Sequence, residues 1–185
     1  PAQLEWLARV LRAHPSTKST TVFAHLPLHP FSRQKYHEYI HMPELERLLV
    51  DAKVDLYLSG HHHVFYAAER NGLRMISVGP LGDAVRDLVD GTPSAKTLLV
   101  AEYDAEARLS LQAWTGEHFE ARLPSHALPP AIGVSQHRLS RLSLERQESI
   151  EELEAAASSK AWAELRGPSV PTAPPLLPLE ALTAP

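Results

Sequence analysis

The sequence predicts an α/β fold, and three observations carry that expectation. Short β-prone runs alternate with segments of helical period. Two of those runs, Thr20–Phe23 and Val54–Leu58, each lead directly into histidine. A third pair of extended runs is joined by Asn71-Gly72, the strongest short-range hairpin signal.

The elements follow in chain order. From Gln3 to Ala13, Leu4, Leu7 and Leu11 share one helical face with Trp6 and Val10 beside it. His14-Pro15 ends this helix, because the residue before proline is driven out of the α region. The run TTVF, Thr20–Phe23, is a short strand, closed by His25 and by Pro27 and Pro30, which cannot donate to a sheet ladder. Phe31 to His41 is polar and reads as a short helix or a loop. Pro43 suits the first turn of a helix whose buried face is Leu45, Leu48 and Leu49 and whose end lies near Ala52.

The stretch DLYLSGHHHVFY, Asp55–Tyr66, is the centre of the chain. Its first half alternates as a buried strand, Gly60 is expected to supply the sharp turn, and His61 and His63, two apart, are expected to project to the same side. Val64–Ala68 and Leu73–Val78 form the hairpin around Asn71-Gly72. The glycines of Gly79-Pro80-Leu81-Gly82 allow close backbone approach. Lys96–Tyr103 and Arg108–Trp114 form an antiparallel pair, and a last strand is expected within His118–Leu123.

Composition narrows the functional classes. The 185 residues are 44% hydrophobic, enough for one domain with a core. A net charge of −4 leaves no nucleic-acid footprint and no basic membrane patch. No run reaches the roughly 18 apolar residues of a membrane span, so the chain reads as soluble, and any signal peptide would lie upstream of Pro1. The absence of cysteine excludes disulfides and thiolate metal sites. Histidine is the outlier, with 11 in the chain and seven between His25 and His63. Imidazole is the commonest metal ligand, and strand ends at the carboxyl edge of an α/β sheet are where ligands bind. Nine of the 16 prolines lie from Pro124 onward, which sets an expected domain boundary there. Residues 124–185 read as a linker, a charged stretch from Leu142 to Leu165 able to form a helix, and a disordered Pro- and Ala-rich end from Gly167.

The helix opening QLEWLARVL from Gln3, the strand ending in His25-Leu26-Pro27, Gly60-His61-His62-His63 and the loop ISVGPLGD, Ile76–Asp83, together resemble the C-terminal half of calcineurin-like metallophosphoesterases. That superfamily includes purple acid phosphatases and cyclic-nucleotide phosphodiesterases. The resemblance covers roughly residues 1–123 and implies a four-layer α/β/β/α sandwich. It also implies two divalent metal ions, Mn, Fe or Zn. His25 and His61 would serve the second ion and His63 the first. His62 occupies the variable position and, with His29, is expected close to substrate. The implied reaction is hydrolysis of a phosphate mono- or diester. The family's upstream motifs (Asp-any-His, the bridging Gly-Asp and Gly-Asn-His) do not occur before His25. Two functional expectations follow. Either the chain is a portion of a hydrolase that needs its own N-terminal half, or it is a non-catalytic accessory module of the same fold.

Overall fold

The computed structural model describes residues 2–14 and 19–144. Helix α1 spans Ala2–Ala13 and strand β1 Thr21–Ala24; α2 spans Pro43–Asp51 and β2 Leu56–Ser59. The hairpin β3–β4 is Tyr66–Arg70 and Leu73–Ser77. Strands β5 Leu98–Tyr103, β6 Leu109–Thr115 and β7 Ala121–Arg122 follow, then β8 Ala131–Ile132 and β9 Leu139–Arg141. Single 3₁₀ turns occupy Ser125–Ala127 and Ser135–His137. The segment Phe31–His41, left open as helix or loop, is a loop with a turn. No helix among the described residues is long and apolar enough to cross a membrane.

Two sheets result. One has six strands in the order β1-β2-β4-β3-β9-β8, and the other runs β5-β6-β7. The α/β expectation holds at this level. Strands β1, β2 and β4 are mutually parallel, with Ala24 opposite Ser59 and Ser59 opposite Ser77. Their carboxyl ends therefore lie side by side, and whatever follows each strand emerges on one edge. Asn71 and Gly72 adopt left-handed backbone, φ 52° and 79°, as a type I′ hairpin requires.

The core lies between α2, the parallel strands and the loops that cross them. Leu49, Leu56, Phe65, Tyr66, Ile76 and Leu139 are completely buried. Two buried tyrosines fasten loops to it. Tyr57 donates its hydroxyl to the Leu26 carbonyl at 2.8 Å, and Tyr66 donates to the Pro129 carbonyl at 2.9 Å. Burial raises the pKa of both phenols, so both remain donors.

The domain boundary expected at Pro124 does not coincide with the edge of the sheet. Strand β9 pairs with β3, β8 pairs with β9, and Leu123, Ala127, Leu128, Ile132, Leu139 and Leu144 enter the core. Proline density misled here because Pro124, Pro129 and Pro130 sit between short elements rather than after the last one. The expected helix from Leu142 begins with non-helical backbone through Leu144; its remainder and the Pro-rich end lie outside the described residues.

If residues 124–144 belong to the body, Leu139→Ala removes a fully buried side chain from it. The expected cost is about 2–4 kcal/mol of unfolding free energy by urea titration. A linker strand would lose almost nothing.

Candidate functional site

Three parallel strands deliver the site. β1 ends at Ala24 and hands over to His25, while β2 ends at Ser59 and hands over to Gly60 and His61. The ladder continues one step beyond the strands, since the Gly60 N–H donates to the His25 carbonyl at 3.1 Å. That register sets the two imidazoles against each other. His25 Nε2 lies 3.0 Å from His61 Nδ1, with ring centroids 4.8 Å apart and the rings edge-on. β4 leads to Gly79 and on to Asp83 at the same edge. A Cβ on Gly79 would come within 3.0 Å of the Ala95 carbonyl oxygen, so the close approach expected of this loop is real at Gly79, whereas Gly82 faces open space.

The turn after β2 is not made by Gly60. Left-handed backbone falls instead on His61, φ 64°, and His63, φ 55°. Non-glycine residues in that region cost about 1 kcal/mol each. The expectation that His61 and His63 project together from an extended segment therefore does not hold, because neither residue is extended. His61 turns to His25, and His63 turns to the Gly79–Asp83 loop, with Nδ1 3.3 Å from Asp83 Oδ2 and 3.3 Å from the Ala84 carbonyl.

His61 has a second set of partners. Its Nε2 is 2.6 Å from Glu38 Oε2 and 3.2 Å from Lys35 Nζ, and Lys35 Nζ is itself 2.6 Å from Glu38 Oε2. A carboxylate only accepts, so His61 donates Nε2–H to Glu38. A neutral ring so placed presents the Nδ1 lone pair to His25. The Glu38 pKa is held down to about 2, first by the hydrogen bond from Lys35 and then by that from His61. Neither Lys35 nor Glu38 stood out in the sequence, since both lie in an irregular polar loop whose path no local pattern fixes.

The two residues expected near substrate are placed otherwise. His62 is completely buried. Its Nδ1 accepts from the backbone N–H groups of Phe31 and Ser32 at 3.1 and 3.2 Å, and its Nε2–H donates to the Glu38 carbonyl at 2.9 Å. With both nitrogens engaged it can reach no ligand. Burial is the first cause that lowers its pKa to about 4, and the ring is a neutral strut. His29 is also buried. It lies between Glu46 Oε2, 3.0 Å from its Nε2, and His137 Nδ1, 3.1 Å from its Nδ1. The structure thus joins His25 to His61, leaves His63 beside Asp83, and assigns His62 and His29 to the interior.

Whether these residues fit metal ions is a question of ligand number. Two imidazole ligands of one tetrahedral ion stand about 3.4 Å apart at ordinary Zn–N distances, close to the 3.0 Å seen between His25 and His61. A ligating histidine commonly donates its other N–H to a carboxylate, as His61 does to Glu38. Yet no group of three or more His, Cys, Asp or Glu able to hold a metal occurs among the described residues. Catalytic sites use three protein ligands, so the described residues do not complete one.

No protein-family model and no curated protein matches the sequence. Eight chains of solved structures match. One of these is GAP50, described as the anchor in the inner membrane complex of Plasmodium. It superposes with a TM-score of 0.54 at 17% identity over 94% of this chain and 52% of its own. At that identity the likeness concerns the fold alone. This chain spans about half the length of that protein.

Two stability predictions separate the roles of Gly60 and His62. A Cβ at Gly60 meets nothing within 4 Å, so Gly60→Ala should change unfolding free energy by less than about 1 kcal/mol. His62→Ala leaves two backbone donors unpaired in a cavity and should cost about 3–5 kcal/mol, read by the same denaturant titration.

Proposed function

We propose that this chain is the carboxyl-side portion of a metal-dependent phosphoric ester hydrolase of the calcineurin-like kind, a four-layer sandwich when whole. In that reading it contributes His25 and His61 to one of two divalent ions and His63 to the other. The carrying observation is the contact of His25 Nε2 with His61 Nδ1 at the carboxyl ends of adjacent parallel strands, with the outer nitrogen of His61 held by Glu38. A fixed lone pair on one ring and a second ring nitrogen beside it are what a borderline divalent cation selects. Lys35, with its ammonium 3.2 Å from the His61 ring, adds a cation that suits an anionic phosphate ester.

The remaining ligands come, in this proposal, from a missing N-terminal half that extends the six-stranded sheet. β1 is an outer strand of that sheet, paired only with β2 among the described residues, and its Phe23 is 75% exposed. An apolar edge of this kind is one that proteins normally cover. Thr21 Oγ1 and Tyr103 O–H, 2.7 Å apart, put the start of β1 beside the end of β5, whose Leu98 and Tyr103 are also exposed. One docking segment could cover both sheets on that side. The ligand shortfall also favours a second reading, in which the chain is a non-catalytic module of the same fold.

The two readings separate by hydrolysis of bis-(4-nitrophenyl) phosphate with added Mn²⁺. The 185 residues alone should be inactive. In a chain that also carries the upstream half, His61→Ala should lower both bound Mn²⁺ and turnover at least about a hundredfold, and Glu38→Gln about 10- to 100-fold in metal affinity. Unchanged metal content and rate in His61→Ala would sink the hydrolase assignment; an extended chain that binds no metal would establish the non-catalytic reading.

A further inference from the structure

A second histidine pair lies away from the strand ends. A cavity of 340 Å³ is lined by His29, Tyr39, His41, Glu46, Arg70 and His137, together with Gln136 and apolar neighbours. Through it runs one unbroken series of hydrogen bonds. Tyr39 O–H lies 3.2 Å from His137 Nε2, His137 Nδ1 3.1 Å from His29 Nδ1, and His29 Nε2 3.0 Å from Glu46 Oε2. Glu46 Oε1 accepts in turn from Arg70 Nε at 3.2 Å and Asn71 Nδ2 at 3.3 Å. The series crosses four parts of the chain: the loop after β1, α2, the β3–β4 hairpin and the 3₁₀ turn Ser135–His137.

Its proton count is restricted. Glu46 as a carboxylate can only accept, so His29 always carries a proton on Nε2. With both rings neutral, His29 Nδ1 is an acceptor. His137 then donates from Nδ1 and accepts from Tyr39 at Nε2. With one proton added, His29 becomes an imidazolium paired to Glu46 and donates from Nδ1. His137 then accepts there and donates from Nε2 to the Tyr39 oxygen. Every hydrogen bond survives in both states. A second added proton places N–H against N–H across 3.1 Å and two cations face to face.

We propose that His29 and His137 form a one-proton latch, which holds the turn Ser135–His137 and the β8–β9 pair on the body near neutral pH and releases them in acid. The inference is independent of any metal. The charged and titratable groups facing the pair are Glu46 from α2, Arg70 from the hairpin, and Tyr39 and His41 from the loop after β1. Arg70 Nη1 also donates to the carbonyl of Arg138, next to the latch. Only Glu46 favours added positive charge; Arg70, and His41 when protonated, oppose it. Burial first, and then the facing His29, keep the His137 pKa below the ordinary value of 6.5. The sign follows. Once open, the pair binds two added protons where the closed pair binds at most one. The latch therefore contributes fully above about pH 6.5 and is lost as pH falls below it.

Amide hydrogen exchange of the full chain between pH 7.5 and 5, corrected for intrinsic rates, reads this directly. Protection at Ile132, His137, Arg138 and Leu139 should fall by up to about tenfold per pH unit below about 6.5, while β2 and β4 amides hold theirs. His137→Gln keeps a donor and an acceptor without titrating and should abolish that extra dependence. Imidazole NMR of the unmodified chain gives an independent reading: one proton taken up by the pair as a unit, with the second only at clearly lower pH. Two separate titrations near the ordinary histidine value, or the same loss of protection in His137→Gln, would overturn the latch.

Discussion

The loop from Phe31 to Ile40 has a single isolated bridge, Ser32 to Leu88, yet it places Lys35 and Glu38 against His61. Backbone bonds to Asp87, Val89 and Pro27 tie down its two ends, and one buried imidazole joins those ends to each other. His62 accepts from two successive backbone N–H groups at the start of the loop and donates to a carbonyl near its end. Three otherwise orphaned backbone groups are satisfied by one side chain, in a setting where each unmet group costs about 1–3 kcal/mol. Because His62 is flanked by His61 and His63, the same residue fixes the loop and fixes where its neighbours can turn. The geometry of the exposed pair thus rests on a histidine that does no chemistry.

That arrangement also explains why the backbone is left-handed at two histidines. Pulling the His62 ring inward while the chain leaves β2 forces the residues on either side to reverse, and both take positive φ. Such strain persists where surrounding contacts over-determine it. Here the contacts are identifiable: the His62 hydrogen bonds, the Ser77 hydroxyl donating to the Val64 carbonyl at 2.9 Å, and the Phe65 N–H donating to Ser94 Oγ at 2.8 Å. Glycine at position 61 or 63 would relieve the strain but remove an imidazole from the sheet edge.

Much of the fold was legible because it is local. Helical period, proline at the start of α2, the Asn-Gly hairpin and the alternation in β5 and β6 each depend on a few adjacent residues. The strand-end positions of His25 and His61 were legible for the same reason. Their contact needed the parallel register of β1 with β2, a non-local fact. Three consecutive histidines look alike in sequence, and nothing local shows that the middle one points inward. Nor does local pattern pair His29 with His137, 108 residues away. The boundary at Pro124 went astray because proline marks turns inside a domain as readily as linkers after it.

The two histidine pairs show how one contact takes opposite meanings. Each brings imidazole nitrogens to 3.0–3.1 Å, and in each a glutamate accepts from the outer nitrogen of one ring. The difference lies at the far end of the second ring. His137 finds the Tyr39 hydroxyl there, so the interior pair is a closed series that keeps all its hydrogen bonds when one proton is added. His25 sits at the exposed end of a strand that pairs on one side only among the described residues, so opening its contact with His61 strands no buried donor. On the two readings proposed above, the buried and saturated pair answers to pH and the exposed, unsaturated pair to metal. Burial and hydrogen-bond closure, more than the residues themselves, set these two sites apart.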